Sequence, residues 1–309
     1  MKINLITNWV DQKGLWRDGC IMERLLDGWG HQPVRVQYTD RQRPHPADLN
    51  IFLETLQPDL FPLAPVNWWV PNPEWADSAD LAALQHVDRV VCKTREAERL
   101  FALLTDRTVY VGFESEDHYD PSVPRETRAL HIAGGSILKG TQTVLDAWER
   151  YVLPFPLTVV GDEQTVKPRQ IPNVTYRLSR LSDEELRTLQ NSHIIHLCPS
   201  ETEGWGHTIW EGMSCNAMVL TTQEIDGTWR IPAVVSSRRC LALLMRVDSE
   251  SIAAAVRDRM AAREGDPSFR PAIWEPCWPT CFPRTHFLAA RDAFRERLKV
   301  LVDHAACII

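Results

Sequence analysis

The chain has 309 residues, enough for one or two domains with a substantial buried core. A formal net charge of −7 argues against a broadly basic binder of nucleic acid, and no apolar run approaches the roughly 20 residues of a membrane span. The eight cysteines are scattered, which fits reduced thiols in the cytosol better than a disulfide framework.

Residues 1–6 are too short and too quickly polar for a signal peptide, and 2–7 read as a first strand. A loop with one glycine, Gly14, follows, and then a helix through residues 22–26. Strands are expected at 34–38, 49–53 and 66–70. Between the first two of these lies a basic, proline-rich loop containing Arg41 and Arg43. After 66–70 comes Pro71-Asn72-Pro73-Glu74-Trp75, beside Trp68 and Trp69. Those two indoles read first as core, while tryptophans next to a crevice also suit stacking on a sugar or a base. Residues 89–92 form the next strand. Thr94 caps a helix over 95–104 with apolar positions at Ala97, Leu100, Phe101 and Leu104. A strand at 109–111 runs into Gly112-Phe113-Glu114-Ser115, and residues 120–125 read as a linker.

The second half opens with a strand at 129–132, the loop Ala133 to Thr141 with Gly134, Gly135, Ser136 and Lys139, and a helix over 142–151. Strands at 157–160 and 173–176 follow. Ser182 and Glu185 form a capping box at the start of a helix that ends near Asn191. An apolar run at 194–197 leads into Pro199-Ser200. Beyond it lie a strand from 218, Val234-Val235, a helix over 251–262, a Pro- and Trp-rich stretch at 265–283 and a last amphipathic helix from 284 to about 302. Within the Pro- and Trp-rich stretch, Cys277 and Cys281, even with His286, lack the paired spacing of a zinc site.

Residues 199–222 carry the chemistry. Gly204 and Gly206 allow close backbone approach, and the amides of His207 and Thr208 open a helix, where unpaired N–H groups and the helix dipole favour an anion. Glu203 and Glu211 bracket this turn with seven residues between them. Carboxylates on either side of an anion site suit a ligand with phosphate in the middle and hydroxyls at both ends.

This stretch resembles the Glu-(seven residues)-Glu signature of the retaining GT-B glycosyltransferases of group 1, the family-4-like type. Trp205 stands where that family usually has Phe. Asn216 replaces the glycine at the helix end, and Asn is the next-best residue for a left-handed cap. The loop with Lys139 resembles the family's diphosphate-binding element, with Gly134 where an Arg is usual.

The resemblance implies an α/β fold of GT-B architecture, two Rossmann-like parallel-sheet domains facing an interdomain cleft. The domains are expected at 1–124 on the acceptor side and 125–283 on the nucleotide-sugar side, with 284–309 crossing back to the first. Lys139 and Glu203 are the implied catalytic residues. Gly14, Gly134, Gly135, Ser136, Gly204, Trp205, Gly206, His207, Thr208 and Glu211 join them around the donor, Glu211 on the ribose hydroxyls and Glu203 on the transferred sugar. The donor is a nucleotide diphosphate sugar, UDP-linked ahead of GDP-linked, with no obligatory metal or other cofactor. Trp69, Asn72, Glu74 and Trp75 are the acceptor-side candidates, since the family's usual His near there is absent. The implied activity is cytoplasmic, metal-independent, retaining transfer of a hexose to a soluble glycan or small molecule. The alternatives are a hydroxymethylated base in DNA as acceptor, with Arg41 and Arg43 on phosphates, a sugar-nucleotide epimerase, or an inactive sugar-nucleotide binder.

Overall fold

The computed structural model describes residues 1–9, 14–39, 46–153, 155–201, 203–222, 242–245, 249–261 and 283–308. Arg41, Arg43, Val234, Val235, Cys277 and Cys281 lie outside these.

The chain divides into two compact units. The first comprises Met1–Ser115, Glu203–Trp205 and Ala290–Ile309; the second comprises Glu116–Thr202 and Gly206–Ala289. The main division thus falls at 115/116, nine residues before the boundary expected from the linker composition.

The first unit holds strands β1 (Lys2–Thr7), β2 (Gln32–Gln37), β3 (Leu49–Leu53), β4 (Val66–Val70), β5 (Arg89–Cys92) and β6 (Thr108–Tyr110). They form one parallel sheet in the order β2-β1-β3-β4-β5-β6. Helix α1 (Gly14–Gly28) returns the chain from β1 to β2. Helix α2 (Ser78–Ala83) starts on a capping box of Asp77 and Asp80, and α3 (Arg95–Phe101) starts on the Thr94 hydroxyl, which accepts from Ala97 N. Strands β1, β3 and β5 are buried on nearly every residue, as a sheet covered on both faces requires. A ladder of buried amides crosses β1, β3 and β4: Asn4 Nδ2 donates to Asn50 Oδ1 (2.9 Å), and Asn50 Nδ2 to Asn67 Oδ1 (2.8 Å). These residues face one another in the strand register.

The second unit holds β7 (Glu126–Gly134), β8 (Leu157–Gly161), β9 (Val174–Arg177), β10 (His193–Cys198), β11 (Met218–Thr222) and β12 (Ala242–Met245). Their order is β12-β11-β10-β7-β8-β9, again all parallel. Helices α4 (Thr141–Tyr151), α5 (Asp183–Ser192), α6 (His207–Ser214) and α7 (Ser249–Ala261) lie between strands or after them. Trp148, Leu145, Val144 and Val159 centre its core.

Helix α8 (Pro283–Ile308) closes the chain. Its residues from Ala290 onward belong to the first unit, where Phe294 packs on Phe113 with centroids 5.1 Å apart. Buried Glu114 accepts from both Arg24 (3.0 Å) and Arg295 (2.5 Å). Among the described residues, no helix is long and apolar enough to cross a membrane.

Candidate active site

In an open parallel sheet, ligands bind beyond the carboxyl ends of the strands, where the strand order reverses. In the second unit the chain winds outward from β7 through β8 to β9, then returns to place β10 on the other side of β7. The reversal therefore lies between β7 and β10. Gly134 ends β7, and the loop that leaves it carries Gly135, Ser136 and Lys139. The loop that leaves β10 carries the turn before α6. Both elements singled out by motif leave the strands that flank this point.

The two loops are fastened to each other. Glu201 N donates to Leu138 O at 2.8 Å. Gly140 has φ +69°, and a Cβ there would lie 2.3 Å from Pro199 O, so only glycine permits this approach. Below them, fully buried His131 joins both stems: Nδ1 lies 2.9 Å from Leu197 O and Nε2 lies 2.9 Å from Thr141 Oγ1. A carbonyl only accepts, so Nδ1 carries the proton and Nε2 accepts from the Thr141 hydroxyl. Burial pulls His131 down to about 4; the bond to Leu197 O opposes this, and the charge of Lys139 adds to it. The imidazole is therefore neutral near pH 7.

Ser136 Oγ accepts from Leu138 N and caps the short turn Ile137–Lys139. Gly134 and Gly135 are exposed and Lys139 is partly buried. Gly134 adopts φ +55°, and its carbonyl accepts from Thr165 Oγ1 at 3.0 Å. The loop is held in shape where the family's Arg is missing.

Helix α6 begins after Gly206, which has φ +81° and no side chain to cap it. Ile209 N and Trp210 N turn back to Gly206 O, so the amides ahead of them, of His207 and Thr208, open the helix. Its far end turns on Asn216 at φ +55°, the left-handed residue expected there. Glu211 is 2 % exposed, and its Oε2 accepts from Gln190 Nε2 at 2.9 Å. Gln190 Oε1 in turn lies 2.6 Å from His118 Nδ1. Neither Gln190 nor His118 stands out in the sequence, because nothing local to either marks it.

The remaining residues group with the first unit, at the carboxyl ends of β3, β4 and β5. Asn72 Nδ2 donates to Glu54 Oε2 at 2.6 Å. Glu54 follows β3 with φ +73°, a strained conformation for a non-glycine residue. Burial lifts Glu74 to about 6, aided by the fields of Glu203 and Glu54 and opposed by its own backbone N–H and by Lys93. Gly204 comes so close that a Cβ would lie 2.3 Å from Asn72 Oδ1 and 2.9 Å from Glu74 Oε1. Asn72 Oδ1 and Glu74 Oε2 are buried and lack a hydrogen-bond partner among the described residues. Lys93, almost fully buried, pairs with Asp18 at 2.7 Å. Sequence reasoning reached Asn72 and Glu74 but not Glu54, Lys93 or Asp18, which are strand-end or helix residues with no motif around them.

Two tryptophans among the candidates are buried, Trp69 in keeping with the first of its two readings. Trp69 is 0 % exposed, its Nε1 donates to Glu54 O, and its ring meets Phe101 edge-on. It is core. The Trp205 indole is likewise taken up, donating to Ser115 Oγ at 3.1 Å and meeting Phe113 edge-on. Trp75, by contrast, is 59 % exposed. Gly14 opens α1 and is exposed. Among the described residues, no group of three or more His, Cys, Asp or Glu is placed to hold a metal ion.

Comparison with known proteins agrees with the resemblance read from the sequence. Residues 128–261 match the family "Glycosyl transferases group 1". No curated protein matches the chain. Solved structures match in fold at low identity. A sucrose-phosphate synthase from Thermosynechococcus elongatus aligns over 100 % of both chains with TM-score 0.70 and 13 % identity. Anabaena HepE, solved with UDP and glucose, aligns over 97 % of this chain and 99 % of its own, with TM-score 0.64 and 14 % identity. An alpha-glucosyltransferase solved with UDP and a 13-mer DNA containing an HMU base aligns over 99 % of both chains, with TM-score 0.63 and 10 % identity. The fold is that of the GT-B glycosyltransferases.

Proposed function

Residues 128–261 being a group 1 glycosyltransferase domain, we propose that this glycosyltransferase moves a sugar from a nucleotide diphosphate sugar to an acceptor hydroxyl, with retention and without an obligatory metal. One observation carries the reading: the Lys139 loop and the turn before α6 leave the strands on either side of the switch point and are bonded to each other. Lys139 and the amides of His207 and Thr208 would take the diphosphate. A cation and fixed N–H dipoles aimed at charge that grows on the leaving group supply the electrostatic stabilisation that dominates many such reactions. Glu211 takes the ribose hydroxyls and Glu203 the transferred sugar. As the bond from the anomeric carbon to the leaving phosphate oxygen breaks, the sugar becomes oxocarbenium-like. The acceptor hydroxyl then enters from the face the diphosphate leaves and yields its proton there. UDP is the first donor to try, because HepE was solved with UDP-glucose and the DNA-bound relative with UDP.

For the acceptor, a soluble glycan or small polyol is favoured. Among the described residues Asn72 Oδ1 and Glu74 Oε2 are acceptors lacking donors, which suits ligand hydroxyls. Glu54, Glu74 and Glu203 outnumber Lys93, itself paired with Asp18, and this disfavours a phosphorylated acceptor. Exposed Trp75 offers a face for a sugar ring.

The test mixes the protein with UDP- and GDP-sugars and three sets of acceptors: neutral glycans, sugar phosphates, and duplex DNA carrying hydroxymethylated bases. Release of nucleotide diphosphate is followed. Acceptor-dependent release, lost by at least about a hundredfold in Lys139→Ala, is the expected result. Full turnover by Lys139→Ala or Glu203→Ala would remove the site assignment. Product from donor alone would favour an epimerase, and donor binding without turnover on any acceptor an inactive binder. Transfer to the DNA duplex would favour the nucleic-acid reading.

A further inference from the structure

Glu211 is buried in the second unit, and a buried carboxylate must be held by donors. The donor shown is Gln190, itself 0 % exposed, near the end of α5. The direction of this contact is fixed by chemistry. A carboxylate only accepts, so the Gln190 NH2 faces Glu211 and its carbonyl oxygen faces His118. His118 Nδ1, 2.6 Å away, must then be the donor. On its other side, His118 Nε2 lies 3.3 Å from Glu116 Oε2. Donation therefore runs outward from His118, through Gln190 to Glu211 on one side and, when Nε2 carries a proton, to Glu116 on the other.

His118 is anchored at its backbone as well. Its N–H donates to Ser214 Oγ (3.0 Å), whose own hydroxyl donates to Glu211 O (2.7 Å). Its carbonyl accepts from Asn191 Nδ2 at 2.7 Å. The imidazole thus has little freedom, and neither has the amide it holds. Burial opposes a charge on His118, but the bond to Glu116, the field of Glu211 and the bond to Gln190 together raise its pKa.

We propose that Gln190, held by His118, is a positioning residue: it fixes the Glu211 carboxylate in the orientation that receives the ribose hydroxyls of the donor nucleotide. This rests on the proposed function, in which Glu211 meets the ribose. A carboxylate that binds a diol pair gains from being aligned beforehand, because the ordering cost is then met by the fold and not by the ligand. The consequence concerns the nucleotide's ribose alone. Gln190 should affect affinity for a nucleotide with both ribose hydroxyls and leave unchanged affinity for one without them.

The experiment compares UDP with 2′,3′-dideoxy-UDP by calorimetry, in the wild type, Gln190→Leu, the near-isosteric Gln190→Glu, Glu211→Gln, and the double variant Gln190→Leu/Glu211→Gln. Circular dichroism and thermal melts establish which variants are folded. The wild type should prefer UDP by at least about tenfold, the worth of one good hydrogen bond to a charged group. Gln190→Leu and Gln190→Glu should lose most of that preference through weaker UDP binding, with the dideoxy affinity within about twofold of wild type. The double variant should lose no more than Glu211→Gln alone, as expected for residues acting through one contact. Should Gln190→Leu fail to fold, Gln190→Glu alone decides. A wild type that prefers UDP, with folded Gln190 variants that keep the full preference, would overturn this inference and leave the proposed donor standing. Equal loss of UDP and dideoxy-UDP would overturn it too, as a general structural defect. A wild type that binds neither UDP nor GDP, the latter titrated alongside as a third nucleotide, would overturn the proposed function and this inference together.

Discussion

Glu74 has a carboxyl group that its surroundings hold up at about 6, chiefly through burial. For a raised carboxyl the proton binds better in the folded state. The associated stability is complete below the ordinary value of 4.5 and is lost as pH rises through about 6. Integrated over that window the loss is about 2 kcal/mol. Glu74→Gln should therefore be more stable than the wild type at pH 7.5 by up to that amount, and close to it at pH 4.5. Urea unfolding at both pH values checks this. His131 carries the opposite sign. Its folded value is depressed to about 4, so its stability is complete above 6.5 and drains away as pH falls towards 4. The total is about 3 kcal/mol, and the acid limb of an unfolding series should flatten in His131→Gln.

At the scale of elements, the strands were largely legible. Apolar runs bounded by Gly, Pro and Asn mark β1, β3, β4, β5, β8 and β10, and both the Ser182 capping box and the Thr94 cap are formed. Boundaries were less so: α3 ends at Phe101 and not at Leu104, because Leu103 N and Leu104 N close only three residues back, on Leu100 O and Phe101 O. Helix α2 has only six residues, too few to show a 3.6-residue period. Strand β12, Ala-Leu-Leu-Met, has helix-forming residues that its partner β11 draws into a sheet. The candidate site was picked out from spacing in the Lys139 loop and the Glu203–Glu211 turn. It was not where neighbours distant in sequence make it, as for Gln190, His118, Glu54 and the Lys93–Asp18 pair. The amide ladder belongs at this scale too. Asn50→Val removes the donor and acceptor that serve Asn67 and Asn4 in the core. A cost of about 2–4 kcal/mol is expected from the polar groups stranded there, measured by chemical denaturation. Gly140→Ala forces a Cβ against Pro199 O. It should disturb the two fastened loops together, lowering the melting temperature and weakening donor binding in the same variant.

On the scale of the whole molecule, sequence order and compact unit do not coincide. Trp205 and the last helix from Ala290 count with the first unit, where Phe113 meets both Trp205 and Phe294, and Glu114 pairs with Arg295. A fragment of residues 1–115 would uncover the Phe113 ring and leave Glu114 with only Arg24. Such a fragment should aggregate or melt well below the intact protein, and adding the peptide 284–309 should recover part of the loss, as light scattering and calorimetry would show. The same arrangement limits how this enzyme can be recombined with its relatives. A chimera cut once at 115/116 joins one parent's front half to another parent's tail and Glu203-Gly204-Trp205 triplet. Parents must therefore be exchanged in three pieces, so a library of single-crossover hybrids, in which the first and last pieces come from different parents, should yield few soluble members, and hybrids that exchange all three pieces together should yield more.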